Sequence, residues 1–274
     1  MFTAEPKLVQ ALAPHLRRVL VVEPGSASQR LLGELLRSLG ANEIFSASTT
    51  ASALELAGKA DPQMVFTELT GEALDGLRFA RQLRKSELGC RRVPIIMMTA
   101  ETTPKTIFGA RDAGVHEFLR KPYTIRDLLR RLEAVTGHKR DWIEGIAYIG
   151  PDRRRFNSGD YLGPRKRRTD ASQGSDAGRL LQAMKIVQAA YGALESDPKQ
   201  AHRALCAQAD EIRETATRMD NHAVACVALD MKAYLATAGT DGMVAGAVAA
   251  HMSKLWNLLP EKMQAEARND RAAA

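Results

Sequence analysis

Between Arg18 and Val135, short apolar runs alternate with stretches of helical periodicity. VLVV (19–22), EIFSA (43–47), MVFTE (64–68), VPIIMM (93–98) and HEFL (116–119) predict five strands. The intervening segments QRLLGELLRSLG (29–40) and LRFARQLRKS (77–86) carry apolar residues at helical spacing. Gly40 falls where a helix C-cap is expected, and Asp75 where an N-cap would open the next helix. Strand and helix units in alternation predict an α/β fold, a doubly wound parallel sheet covered on both faces. Such a sheet presents its functional loops at the C-terminal ends of its strands.

The pattern then changes twice. Residues 137–177 lose periodicity and are rich in Gly, Pro, Asp and Arg, which predicts a flexible basic linker. Within it Tyr148-Ile-Gly-Pro-Asp-Arg-Arg-Arg recurs as Tyr161-Leu-Gly-Pro-Arg-Lys-Arg-Arg, too close for a repeated structural unit. Residues 178–260 read as helix throughout, in segments 178–194, 198–219, 221–238 and 241–257. Asp197-Pro198 supplies an N-cap with proline behind it, Asp220 a cap for the third segment, and Gly239 and Pro260 the stops. Short connections between these helices predict an all-α bundle of antiparallel neighbours. An N-terminal extension (1–17), a five-stranded domain (18–136), the linker, the helical region and a tail (261–274) complete the organisation.

Composition narrows the class. A chain of 274 residues accommodates two domains. No apolar run approaches the ~20 residues that span a bilayer, and the start lacks a signal-peptide pattern. Cys90, Cys206 and Cys226 are widely spaced, forming neither a disulfide framework nor a metal pattern, as expected of a cytoplasmic protein. The net charge of +7 suggests a nucleic-acid partner until its distribution is considered. Arg153, Arg154, Arg155, Arg165, Lys166, Arg167 and Arg168 lie in one window of the linker and match that whole excess in number.

The stretch PQMVFTELTGEALDG (62–76), together with VLVVEP (19–24), MMTA (97–100) and LRKP (119–122), resembles the two-component response-regulator receiver domain. The resemblance covers nearly all of residues 18–135 and implies a flavodoxin-like fold. In that family the position of Glu68 is the aspartate that accepts phosphate, so the resemblance implies a degenerate phosphoacceptor. Paired acids after the first strand hold magnesium in receivers; here Glu23 keeps the first position and Pro24 takes the second. Proline has no ligating side chain, so magnesium binding is expected to be weakened or lost. Glu68 moves its carboxylate outward by about one C–C bond, a displacement that matters for in-line attack. Thr99 and Lys121 match the family's phosphate-sensing hydroxyl and lysine, Phe118 its aromatic switch position, and Pro122 its proline after lysine, where a cis bond is common. Two readings of Glu68 stay open: a permanent charge mimicking phosphorylation, or a partner for Lys121 in an inert domain.

MDNHAVACVALDMKAYLATAG (219–239) resembles the histidine-phosphotransfer domain, a helical bundle that exchanges phosphate with receivers. Asp220, Leu229, Lys232, Ala233 and Gly239 fall at that family's offsets, with leucine at the phospho-histidine position. Leucine has no lone pair to accept phosphate. The alternative is a generic bundle with Leu229 in its core. His202, His222 and His251 lack lysine and a small residue at the required offsets and read as helix-surface histidines.

These resemblances imply a non-enzymatic phosphorelay protein acting as a pseudo-receiver, with a histidine kinase, phosphotransferase or receiver as partner. They also imply a homodimer or docking surface on the receiver. Two readings compete. One is nucleic-acid binding through the arginines interleaved with Tyr148, Phe156 and Tyr161; the other is phosphorylation at Glu68 or a noncognate side chain.

Overall fold

A computed structural model describes residues 6–137, 140–153, 175–259 and 263–264. Among these, one compact unit comprises the residues up to 143 together with 148–153; the other comprises 144–147 together with those from 175 onward.

The first unit is built on five parallel strands: β1 (Arg18–Val22), β2 (Glu43–Ala47), β3 (Met64–Glu68), β6 (Ile95–Thr99) and β7 (Glu117–Arg120). Their spatial order is β2-β1-β3-β6-β7. Side chains alternate across each strand, so the near-continuous apolar runs feed two cores at once. Val19, Val21, Met64, Phe66, Ile96 and Met98 enter one, against Leu32 and Leu36 of α2 (Ser26–Ser38) and Leu128 and Leu132 of α6 (Ile125–Gly137). Leu20, Val22, Val65, Ile95 and Met97 enter the other. There they meet Ala53 and Ala57 of α3 (Thr50–Ala60), Phe79 and Leu83 of α4 (Gly76–Lys85) and Ala110 of α5 (Pro104–Asp112).

Predicted boundaries hold at several ends. Asp75 caps α4 by accepting from Arg78 N at 2.8 Å, and Gly40 adopts φ 95° just beyond α2. Two short strands, β4 (Thr70–Gly71) and β5 (Leu74–Asp75), form a minimal hairpin after β3 that periodicity did not predict. The N-terminal extension is also structured: α1 (Pro6–Leu12) leads to a 3-10 turn, and Leu12 and Leu16 are buried in the α2/α6 core.

The linker expected over 137–177 is ordered in its first part. β8 (Trp142–Glu144) and β9 (Ile149–Pro151) form a two-stranded ribbon. Long-range contacts, invisible to local periodicity, supply its order. Arg84 is fully buried and donates to Gly114 O at 3.0 and 2.9 Å and to Arg91 O at 2.7 Å, with its guanidinium 5.3 Å from the Trp142 ring centroid. Gly114 (φ 82°) has no room for a Cβ, which would lie 2.7 Å from Ile149 O. Arg154 and Arg155 of the first repeat copy, and the whole second copy with Arg165, Lys166, Arg167 and Arg168, lie outside the described residues.

The second unit contains α7 (Asp176–Gly192), α8 (Pro198–Arg218), α9 (His222–Ala238) and α10 (Ala245–Asn257). Leu180, Met184, Leu205, Ile212, Val224, Met231, Leu235, Val248 and Leu255 meet in one core. Buried Gln200 and Gln208 hold Glu144 and Gly145, donating to Glu144 Oε1 at 3.1 Å, Gly145 O at 3.0 Å and Glu144 O at 3.2 Å. Asp197 caps α8 as expected, through Gln200 N at 3.2 Å. Two expectations need correction. Asn221, not Asp220, caps α9, because its Oδ1 reaches Val224 N at 3.2 Å while Asp220 turns the backbone at φ 56°. The last helix begins at Ala245 rather than 241, since Gly242 N already closes a turn on Ala238 O at 3.1 Å.

Candidate functional site

The sheet delivers its candidate residues to the same end. Glu23 follows β1, Glu68 ends β3, Thr99 ends β6 and Lys121 follows β7. Backbone bonds carry the ladder past the strands: Glu23 N donates to Ala47 O at 2.9 Å, Leu69 N to Met98 O at 3.0 Å and Lys121 N to Thr99 O at 2.8 Å. These bonds restrain the base of each side chain before any side-chain contact forms.

At the centre, the Lys121 ammonium donates to Glu23 Oε2 at 2.5 Å and also to Glu68 Oε2. The other carboxylate oxygens take backbone donors. Glu23 Oε1 accepts from Gly25 N at 3.1 Å, and Glu68 Oε1 from Leu69 N at 3.0 Å. Two carboxylates therefore share one lysine, and each spends its second oxygen on its own loop. The site is largely withdrawn from water, with side-chain exposures of 7% for Glu23, 12% for Glu68 and 24% for Lys121. Burial by itself lowers the lysine's proton affinity, but hydrogen bonds and charge from Glu23 and Glu68 outweigh it and raise the ammonium above its usual range. Burial has the opposite sign for the nearby Tyr123 phenol, which it raises.

Pro24 is exposed and brings no donor atom to this cluster. Its ring leans over the β4–β5 hairpin, where a Cβ on Gly71 would come 2.4 Å from Pro24 Cγ. Gly76 is required by a closer approach: a Cβ there would lie 2.1 Å from Glu68 O. Gly71 and Gly76 thus help position the Glu68 loop. The Asp75-Gly76 pair was visible as a helix start, but its contact with Glu68 is tertiary.

The remaining receiver-type residues stand apart from the acid–lysine cluster. Thr99 Oγ1 accepts from Glu101 N at 2.9 Å and donates to Glu101 O at 3.1 Å, closing the β6–α5 turn. Phe118 is partly buried against the α3/α4/α5 core. The Lys121–Pro122 peptide is cis. Among the described residues, no group of three or more His, Cys, Asp or Glu side chains is placed to hold a metal ion, and no helix is long and apolar enough to cross a membrane.

On α9, Leu229 is 54% exposed, so it does not sit in the core where the generic-bundle alternative put it. Ala-rich α9 presents apolar residues around most of its circumference; Val224, Ala228, Met231 and Leu235 take the core side instead. Lys232, three residues on, pairs with Asp210 of α8, and Ala233 is exposed. His222 is exposed, 3.0 Å from Asp220 Oδ1. His202 lies 3.0 Å from Leu235 O and His251 stacks on Tyr234, so these two are only partly on the surface. Of the basic linker residues, Arg153 is described. It pairs with Asp112 at 2.6 Å and lies over the Tyr148 ring at 4.1 Å.

Residues 19–133 match the family model described as the response regulator receiver domain. Chemotaxis protein CheY-3 of Vibrio cholerae is 30% identical over 118 residues, covering 43% of this chain and 90% of that protein. Chemotaxis protein CheY1 of Helicobacter pylori is 31% identical over 121 residues, covering 44% of this chain and 97% of that protein. Among solved structures, Vibrio cholerae chemotaxis protein CheY4 is similar with 25% identity and a TM-score of 0.41, covering 44% of this chain and 98% of that one.

Proposed function

The chain belongs, through residues 19–133, to the response regulator receiver family of two-component signalling, and on that premise we propose that it is a pseudo-receiver: a binding module that works without being phosphorylated. The observation that carries this reading is the closed cluster in which Lys121 is shared by Glu23 and Glu68 while backbone N–H groups take their other oxygens. Phosphoryl transfer to a carboxylate needs a free nucleophilic oxygen and a cation to receive charge. Here Lys121 occupies both carboxylates, and Pro24 stands where a second acid would complete an oxygen-rich site. This donor set does not fit magnesium, which wants several hard oxygen ligands in octahedral geometry. Between mimicry and an inert pair, the geometry favours the inert pair. The Glu68 carboxylate is held by Lys121 and its own loop, and Thr99 is engaged by Glu101 rather than drawn to it.

Receiver domains interact with histidine kinases and phosphotransfer proteins, and a protein of that kind is the proposed partner. The helical unit fits the same reading as a histidine-phosphotransfer-like bundle without its nucleophile. Exposed Leu229 and Ala233 offer a face for docking where no imidazole can carry phosphate. In this reading the protein is a non-enzymatic adaptor in the cytoplasm. It biases a partner only through differential binding.

Incubation with acetyl phosphate and magnesium, read by intact-protein mass spectrometry, tests the central claim. The unaltered chain is expected to stay unmodified, while Glu68→Asp combined with Pro24→Asp gains one phosphoryl group. Labelling of the unaltered chain at Glu68 would overturn the proposal. Cross-linking against histidine kinases and receivers of the source organism tests the partner class, and capture of none of them counts against it.

A further inference from the structure

Beyond the acid–lysine cluster, the β8–β9 ribbon reads as a ligand held in a built seat. Tyr148 is buried, and its hydroxyl donates to Pro151 O at 2.6 Å, folding the Tyr-Ile-Gly-Pro segment on itself. Arg153 covers the ring at 4.1 Å and pairs with Asp112 of α5 at 2.6 Å. Gly150, at φ 155°, leaves no room for a side chain: a Cβ would lie 2.7 Å from Gly114 Cα and 2.7 Å from the Tyr148 hydroxyl. Ile149 is buried, and its carbonyl packs on Gly114, whose own carbonyl is held by Arg84. The seat therefore selects tyrosine, a buried aliphatic residue, a glycine, a proline, and a cation two residues further on.

The sequence contains a second segment meeting every one of these demands. Tyr161-Leu162-Gly163-Pro164-Arg165-Lys166 matches Tyr148-Ile149-Gly150-Pro151-Asp152-Arg153, with leucine for isoleucine and lysine for the arginine that meets Asp112. We propose that Gly114, Arg84 and Asp112 form a docking seat for Tyr–aliphatic–Gly–Pro segments, and that residues 161–168 are its alternative occupant. The two segments compete for one place, so the resident one must leave before the other can bind. The inference is independent of the reading of Glu68.

A fluorescent peptide of residues 159–168, titrated by anisotropy against the full chain, tests this. The Gly150→Val chain, its resident segment expelled, is expected to bind the peptide at least tenfold more tightly than the unaltered chain. A peptide carrying Gly163→Val is expected to lose at least tenfold, as is the native peptide against Gly150→Val with Asp112→Asn. Tyr148→Ala, which empties the seat by truncation, serves the same assay should circular dichroism show Gly150→Val unfolded. Equal binding to emptied and unaltered chains overturns the proposal. So does absence of binding, or a Gly163→Val peptide as tight as the native one, which would report charge alone.

Discussion

The Lys121 ammonium donates to Glu23 Oε2 at 2.5 Å, across 98 positions of sequence, at the point where receivers gather charge. The same ammonium also reaches Glu68, so one lysine is shared by two largely buried acids. Removing it leaves two like charges side by side. Lys121→Met is expected to cost about 2–4 kcal/mol in urea unfolding, toward the low end because the lysine is partly solvated.

The pH dependence of that cluster has a definite sign. Because the folded-state affinity of Lys121 for its proton is raised above the ordinary lysine value of 10.5, the native state holds the proton more tightly than the unfolded chain. The stabilisation is complete below pH 10.5 and is lost as pH climbs through the higher folded value. An alkaline unfolding series should show this loss, and Lys121→Met should remove that component of it.

His116 works in the opposite direction. Its Nδ1 accepts from Ile95 N at 3.2 Å, and desolvation, then the charges of Arg84 and Arg140, hold the imidazole well below its usual 6.5. The unfolded chain takes up a proton that the native state refuses, so stability is present above pH 6.5 and falls as pH drops below it. The slope is up to about 1.4 kcal/mol per pH unit. His116→Asn, which keeps an acceptor for Ile95 N, should flatten the profile between pH 6.5 and 5.

Arg84 anchors the ribbon by geometry as much as by charge. Burial brings its guanidinium down to about 9, still protonated at neutral pH, and its two bonds to Gly114 O need a planar fork. Arg84→Ala should cost about 3–5 kcal/mol by orphaning buried carbonyls, with Arg84→Lys recovering less than half. Trp142, stacked on the Arg84 and Arg92 guanidinium groups, should shift its emission to the red in both variants.

Leu229 and Met231 are two residues apart on α9 yet occupy opposite environments, at 54% and 0% exposure. Leu229→Ala should change stability by less than about 0.5 kcal/mol, and Met231→Ala should cost about 2–5 kcal/mol. Thermal unfolding of the two variants separates them. Leu229→Arg should weaken capture of the proposed partner while leaving Tm unchanged.

Much of this protein follows from its sequence read locally. The alternation of Val19, Leu20, Val21 and Val22 already assigns each residue to one of two cores, because a strand has period two and both sheet faces are covered. Asp75, Asp197 and Gly40 mark helix ends because a cap acts within one turn. The order and spacing of Glu23, Glu68, Thr99 and Lys121 marked a receiver-type resemblance, with Pro24 beside Glu23, since the ends of parallel strands must converge. Tertiary structure alone decided the rest. Which oxygens share Lys121 depends on loops held by Gly71 and Gly76, and Thr99 turns to Glu101 for reasons no pattern encodes. On Ala-rich α9 every face resembles every other, so only the packing of α8 and α10 could turn Leu229 outward. Aperiodic residues 142–151 became a ribbon because Arg84 and Gly114, dozens of positions earlier, supply the contacts that local sequence lacks. Local preference sets what a segment can be; where it is ambiguous, the burial of distant partners chooses.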